Sequence, residues 1–397
     1  MNKVADRLNS IEESQTIAMS KLCRELQEKG FDVINLSLGE PDFVTPDNIR
    51  AAGKKAIDDG YTHYTPVSGF ADLRKAISEK FKRENNLVYA PDQIVVSTGA
   101  KQSIANVVLS LVNPGDEVIV PTPYWVSYTQ LIKLAEGIPV YMNTGIDADF
   151  KITPAALEKA LTPKTKMFIF SSPCNPTGSV YSAGELKALA AVFAKHPGVL
   201  ILSDEIYEHI RFSEVHSSIA QFDEVKEQVI IVNGVSKGYA MTGWRIGYIA
   251  APKWIAQACD KMQGQFTSGT SSISQKAALE AVSSDWSMYK KMQDTFRRRR
   301  DMVVNMMKQI KGLKVNDPQG AFYVFPDCSY FFGKSNGSVK INNCNDLCMY
   351  LLDDAKISVV TGEAFGDKNC FRLSYATSDD LLMKAVDRMK ISLDKLH

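Results

Sequence analysis

The stretch QVIIVNGVSKGYAMTGWRIGYIAAP, residues 228–252, holds two apolar runs separated by a turn that carries one lysine and one arginine. Its flanking runs, QVIIVNG (228–234) and RIGYIAAP (245–252), are continuous rather than alternating, as strands covered on both faces are. Lys237 follows the first run among the small residues Asn233, Gly234 and Ser236, and Arg245 stands between Gly243 and Gly247. Runs of the same kind lie upstream: QIVVSTG (93–99), DEVIVPTP (116–123), KMFIFSSP (166–173) and GVLILSDE (198–205). Helix-length stretches such as AKQSIANVVLSLV (100–112) and SAGELKALAAVFAKH (182–196) separate them. Apolar strands alternating with helices imply an α/β domain with a largely parallel sheet.

After about residue 275 the pattern changes to long helices, then to GAFYVFP (320–326), KISVVTG (356–362) and FRLSYA (371–376). That is the pattern of a smaller α+β unit. The first forty residues are helical up to Gly30 and then extended, with no partner of their own, so they are expected to join the C-terminal unit. The expected division is a large α/β domain over 45–290 and a small α+β domain made of 1–44 plus 291–397.

A chain of 397 residues with 45% hydrophobic and 23% charged residues has no difficulty forming a soluble core. Its 46 basic and 45 acidic residues leave a field that favours neither nucleic acid nor an anionic membrane. The RRRR run at 297–300 is the local exception and is expected to be a solvated helix face. No apolar stretch reaches the roughly 18 residues of a membrane span, and the N-terminus has no secretory pattern. Seven cysteines without framework spacing point to a reducing cytoplasm.

Polar and reactive side chains repeatedly follow the carboxyl end of an expected strand: Gly99 to Lys101, Trp125, Asn175, Asp204 and Lys237. Ligands of open α/β sheets bind along that edge. Lys237, flanked by small and apolar residues, is either a snorkelling surface lysine or an amine whose pKa desolvation lowers toward a nucleophilic form. Arg245 offers a planar donor fork for a phosphate, and Ser236 a hydroxyl. Asp204 ends a run so apolar that it needs a cationic partner, unless it caps a helix begun by EIYEH. Tyr207 lies three residues on. STGAKQSIANVV (97–108) is a strand-to-helix turn suited to an anion, though many turns resemble it. SSPCNPTG (171–178) is a rigid loop in which a cis Asn175–Pro176 bond would aim the amide of Asn175. Trp125 is core filler or a wall for a planar ring. Arg372 interrupts an apolar strand, as a surface pair or as a fork awaiting a carboxylate. Glu205 and His209 have metal-ligand spacing but no further histidine at a matching position, so no metal is expected. GxSxG is absent.

Together SSPCNPTG, SDEIYE (203–208), SKGYAMTGWRIGY (236–248) and FRLSYAT (371–377) resemble, in order and nearly end to end, the fold-type-I, pyridoxal-phosphate-dependent aminotransferases. The likeness is nearest to the bacterial aspartate aminotransferases of the prokaryotic subgroup. It implies a seven-stranded, mostly parallel sheet sandwiched by helices, and roles at matching positions. Lys237 would hold pyridoxal 5′-phosphate covalently and then shuttle a proton. Asp204 would keep the pyridine nitrogen protonated. Asn175 and Tyr207 would bond the ring's phenolic oxygen, and Trp125 would stack on the ring. Gly99, Ala100, Ser236 and Arg245 would cradle the phosphate, bordered by Lys101. Tyr64 would reach the phosphate of a neighbouring subunit, making a homodimer with its active sites at the interface. Gly39 and Arg372 would grip the substrate's α-carboxylate beside Trp125 and Asn175. Lys101, Ser14 and Thr16 occupy positions associated in this subgroup with an acidic substrate side chain.

The activity implied is reversible amino transfer from L-aspartate to 2-oxoglutarate by a ping-pong mechanism. The alternatives are aromatic, methionine-like, kynurenine or prephenate/arogenate substrates on the same fold, or a β-lyase. Glu12 stands where prephenate-using relatives tend to carry a base, which disfavours prephenate. A non-catalytic regulator of this fold would carry a DNA-binding segment, for which the chain shows no room before Gly39.

Overall fold

A computed structural model describes residues 4–212 and 215–397, so the first three residues of the expected small domain lie outside it. The strands are β1 (Ile34–Asn35), β2 (Ile94–Ser97), β3 (Glu117–Thr122), β4 (Ile138–Asn143), β5 (Thr165–Ser171), β6 (Leu200–Asp204), β7 (Val229–Gly234), β8 (Gly247–Ala250), β9 (Tyr323–Val324), β10 (Ile357–Ser358), β11 (Val360–Thr361) and β12 (Phe371–Ser374). Seven of them form one sheet in the order β2-β8-β7-β6-β5-β3-β4. Only β8 runs antiparallel, to β2 and to β7. The expected α/β sheet is therefore present.

The continuous apolar runs reflect burial on both faces. In β5, Phe168 and Phe170 belong to one core with helices Ala71–Asn85, Ala183–Phe193 and Ser272–Ser283. Met167 and Ile169 point the other way, into a core with helices Ala100–Leu111, Ser127–Leu134 and Lys253–Phe266. The period of two along the strand thus separates the helix layers. β4 is the strand that no apolar run announced. It is the sheet edge, with Pro139 in it and Ile138 and Tyr141 exposed, and an edge is where a proline is tolerated.

A separate core gathers Ile34 and Leu36 with Phe296, Val303, Phe322, Leu347, Leu373 and Leu382. Here β1 pairs in parallel with β10, and β12 lies between β11 and β9, antiparallel to both. The run KISVVTG thus forms two strands, with Val359 between them. Among the described residues no helix is long and apolar enough to cross a membrane.

The arginine run departs from expectation. It lies in helix Lys290–Met307, whose buried positions include Phe296, Arg299 and Val303. Helical spacing therefore turns Arg299 inward while Arg297 and Arg298 stay exposed. Arg299 donates Nη1 and Nη2 to the carboxylate of Asp42, at 2.7 and 2.9 Å, and Nε to Asp379 at 3.2 Å. It ties the extended N-terminal segment to the last helix. Arg299→Ala is expected to cost about 2–3 kcal/mol, less than for a fully buried pair because both carboxylates reach solvent. Arg297→Ala should cost under about 0.5 kcal/mol. Urea midpoints of the two variants check this.

Candidate active site

The carboxyl ends of β2, β3, β5, β6 and β7 open onto a cavity of about 630 Å³ that also meets the helix Gln15–Glu28 and strands β9 and β12. Lys237 reaches it from the turn after β7. Its Nζ donates to the carbonyl of Gly39 at 2.5 Å and has no carboxylate within ion-pair distance among the described residues. Burial, opposed by Glu40 and reinforced by Arg372 and Arg245, lowers its pKa to about 8. An amine so tuned carries a useful neutral fraction near physiological pH.

Asp204 closes β6 and is buried. Residues 206–210 form a turn rather than a helix, and Asp204 Oδ1 accepts the amide of Ile206 at 3.2 Å. Burial raises its pKa to about 6, against hydrogen bonds from Tyr128 and Ile206. Tyr128 Oη donates to Asp204 Oδ2 at 2.7 Å. A carboxylate held this way in apolar surroundings is a site for a protonated nitrogen. Tyr128 was missed by the sequence reading. Its signal was its place three residues after Trp125, in the turn that enters helix Ser127–Leu134, and the two rings meet edge to face at 5.4 Å.

Opposite this lies an anion cradle. Gly99 has φ 84° and precedes helix Ala100–Leu111 without offering a side-chain cap. A Cβ on Gly99 would come within 2.2 Å of Arg245 Nη2, so only glycine leaves the guanidinium its place. Arg245 donates Nη1 to the carbonyl of Thr242 at 2.9 Å. Ala100, Lys101, Ser236 and Arg245 all line the cavity. Lys101 reaches solvent, yet desolvation and then Arg245 lower its pKa. Its Nζ sits 5.1 Å from the Trp125 ring.

Arg372 is fully buried on β12. Nη1 donates to Asn175 Oδ1 at 3.0 Å, Nη2 to the carbonyl of Ser37 at 2.6 Å, and Nε is buried without a partner among the described residues. The Asn175–Pro176 bond is cis, as the loop sequence allowed. Tyr207 Oη is 2.8 Å from Tyr323 Oη, and the Arg372 guanidinium lies over the Tyr323 ring at 4.6 Å. Tyr323 escaped the sequence reading because it sits inside the apolar run GAFYVFP; a hydroxyl there was the signal. A Cβ on Gly39 would meet Tyr323 Oη at 2.8 Å.

Ser14, the N-cap of helix Gln15–Glu28, and Thr16 in its first turn line the cavity, and Thr16 Oγ1 is buried without a partner among the described residues. Glu12 is exposed and outside the lining; its amide donates to Gln130 Oε1 at 2.9 Å. Tyr64 is not brought to this cavity and is 99% exposed. Glu205 meets not His209, which bonds Glu84, but a histidine that the spacing argument passed over: His216 Nε2 lies 2.8 Å from Glu205 Oε2. Eleven positions separate the two, so no helix or strand period announces the contact.

The residues therefore present an amine of lowered pKa, a buried carboxyl that calls for a cationic nitrogen, and a guanidinium beside a side-chain-free turn. A planar ring with a basic nitrogen, an aldehyde and a phosphate matches that donor set. The sequence model for aminotransferase class I and II matches residues 31–389. The chain belongs to the class I and II aminotransferases. The cofactor of these enzymes, and of this chain, is pyridoxal 5′-phosphate.

Among its relatives, a bifunctional aspartate aminotransferase and glutamate/aspartate-prephenate aminotransferase of Petunia hybrida is 48% identical over 98% of this chain and 82% of its own length. An aspartate/prephenate aminotransferase of Cereibacter sphaeroides is 48% identical over 98% of both chains. The crystal structure of the aspartate aminotransferase of Rhizobium meliloti superposes with a TM-score of 0.97 at 42% identity, covering 100% of both chains. That of Thermus thermophilus with maleate gives 0.93 at 37%, covering 99% of this chain and 100% of that one.

The aminotransferase's Tyr128→Phe variant removes a donor that holds the Asp204 carboxyl down, so the carboxyl should retain its proton to higher pH. Cofactor affinity should fall about 10-fold at pH 7 and recover toward pH 9. Titration of apoprotein with pyridoxal phosphate checks this; an unchanged pH dependence contradicts it.

Proposed function

We propose that the enzyme transfers the amino group of L-aspartate to 2-oxoglutarate, giving oxaloacetate and L-glutamate in two half-reactions. One observation carries this reading. Five cations that line the cavity, Arg24, Lys101, Lys237, Arg245 and Arg372, have no carboxylate partner among the described residues. With Lys237 kept for the aldehyde, Arg245, Lys101 and Arg372 are the three assigned to anions. A cofactor phosphate and the two carboxylates of a dicarboxylic amino acid supply three anions.

Pyridoxal phosphate, when bound, supplies an electron sink for the pair left at Cα. Its ring would be held by Asp204 at the nitrogen, by Asn175 and Tyr207 at the oxygen and by Trp125 on its face. The turn Gly99–Lys101, Ser236 and Arg245 would hold its phosphate. The rest is done by the chain. Arg372, fixed by Asn175 and by the backbone of Ser37, takes the α-carboxylate in a planar fork beside Gly39 and sets which Cα bond faces Lys237. Lys237, poised near neutrality, takes the Cα proton and returns it at the other end of the transfer. Lys101, with Ser14 and Thr16, receives the distal carboxylate.

Tyr64 supports a homodimer, because an aromatic ring left bare on one chain is suited to a partner subunit's phosphate site. The cytoplasm is the proposed location. The proposed division remains 45–290 against 1–44 plus 291–397, supported by the separate core that joins β1 to β10. The names of the Petunia and Cereibacter relatives favour prephenate as a second substrate, and Glu12, which lies outside the cavity lining, weighs against it only through the resemblance.

Arg372→Ala is expected to lower kcat/KM roughly 10–100-fold for every amino donor alike. Lys101→Ala should impose a similar loss on aspartate and glutamate while sparing neutral donors. Steady-state assays with a panel of donors against 2-oxoglutarate check both, and equal losses for all donors in Lys101→Ala would remove it as the specificity residue.

A further inference from the structure

Behind the cavity lies a charged cluster that the proposed chemistry does not use. Lys80, on helix Ala71–Asn85, is 0% exposed and Glu208 is 2% exposed. Lys80 Nζ donates to Glu208 Oε1 and, at 3.0 Å, to Asn85 Oδ1. Asn85 Nδ2 donates to Glu208 Oε2 at 2.8 Å, and Asn233 Nδ2 to Glu208 Oε1 at 2.9 Å. Burial opposes ionisation of Glu208, but the charges of Lys80 and of nearby histidines outweigh it and hold the carboxyl well below its ordinary range. Glu84, Glu208 and His209 gather as metal ligands would, yet the Lys80 ammonium already supplies the cation there.

A buried ion pair is a poor way to add stability, since apolar residues of like volume serve as well or better. Its placement suggests another use. Glu208 and His209 continue the turn that carries Asp204 and Tyr207. From there they touch the other turn on both sides of Lys237. Asn233, four residues before Lys237, bonds Glu208 and also accepts the amide of Gly234 at 2.7 Å. Gly238, the next residue after it, packs so closely that a Cβ would lie 2.7 Å from His209 Nδ1. His209 is itself pinned, stacked on Trp286 at 3.9 Å and bonded to Glu84 at 2.9 Å.

We propose that Lys80 and Glu208 form a positioning pair that locks the Asp204–Tyr207 turn to the Lys237 turn and so fixes the amine against the groups that hold the ring. The inference rests on the roles proposed above for Lys237 and Asp204. Outer contacts of this kind orient the groups that touch a cofactor, and small misplacements are costly in rate.

The double variant Lys80→Met/Glu208→Gln removes both charges while keeping volume. The amide oxygen introduced at 208 still accepts from Asn233, and its NH2 donates to Asn85 Oδ1 once that amide, freed of Lys80, turns over. It is expected to bind one pyridoxal phosphate covalently per chain. The midpoint of the bound cofactor's visible-band pH titration should move by about half a unit or more, and kcat should fall about 10-fold with KM little changed. An unmoved midpoint and an unmoved kcat in a fully loaded variant overturn the proposal. Should that variant not fold, Asn233→Ala decides, because it keeps the ion pair and cuts its link to the Lys237 turn. A wild-type midpoint there overturns the proposal, and a moved one supports it. Absence of a visible band in the loaded wild-type enzyme would instead sink the underlying assignment of Lys237, and the pair's role with it.

Discussion

A carboxyl group at the end of a wholly buried strand is the constraint on which the site depends. Asp204 closes β6 with apolar strands on either side, and its pKa stands near 6 because water is excluded. Such a group is unfavourable alone and is stabilised by a hydrogen-bond donor and a cation. Tyr128 is the donor. The lysine one strand over is lowered by the same exclusion of water, so neither group neutralises the other fully. Both remain available to a ligand that carries a cationic nitrogen and an electrophilic carbon.

Two cores meet at this point. The seven-stranded sheet brings Asp204, Asn175 and Lys237 to one edge, and the separate core carries Arg372 and Tyr323 on β12 and β9. The bond from Arg372 to Asn175 and the contact between Tyr207 and Tyr323 cross between them. Under the proposed roles, substrate grip and cofactor grip are mechanically connected through the Arg372–Asn175 bond. A substrate carboxylate pairing with Arg372 would act on the same amide that is proposed to address the ring.

Much of this was legible in the sequence. Strands buried on both faces announce themselves as continuous apolar runs, and of the residues just past them Lys101, Trp125, Asn175, Asp204 and Lys237 line one cavity. Lys237, Asp204, Asn175 and Arg372 stood out because each is polar where its neighbours are not. What escaped has a physical reason in each case. β4 is an edge strand with one face wet, so its run is broken. Tyr128 and Tyr323 present apolar bodies and hide a polar tip, which leaves little trace in a hydropathy pattern. Arg299 looked solvated because its run is basic, although its helical phase turns it inward. Lys80 looks like any helix lysine, and only a contact across 128 positions reveals its burial.

The amine of Lys237 is the group proposed to carry the cofactor. Borohydride reduction of the fully loaded enzyme, followed by digestion and peptide mass mapping, tests it directly. One reduced pyridoxyl adduct per chain is expected, on the peptide containing residue 237. An adduct on any other lysine, with that peptide unmodified, would contradict it.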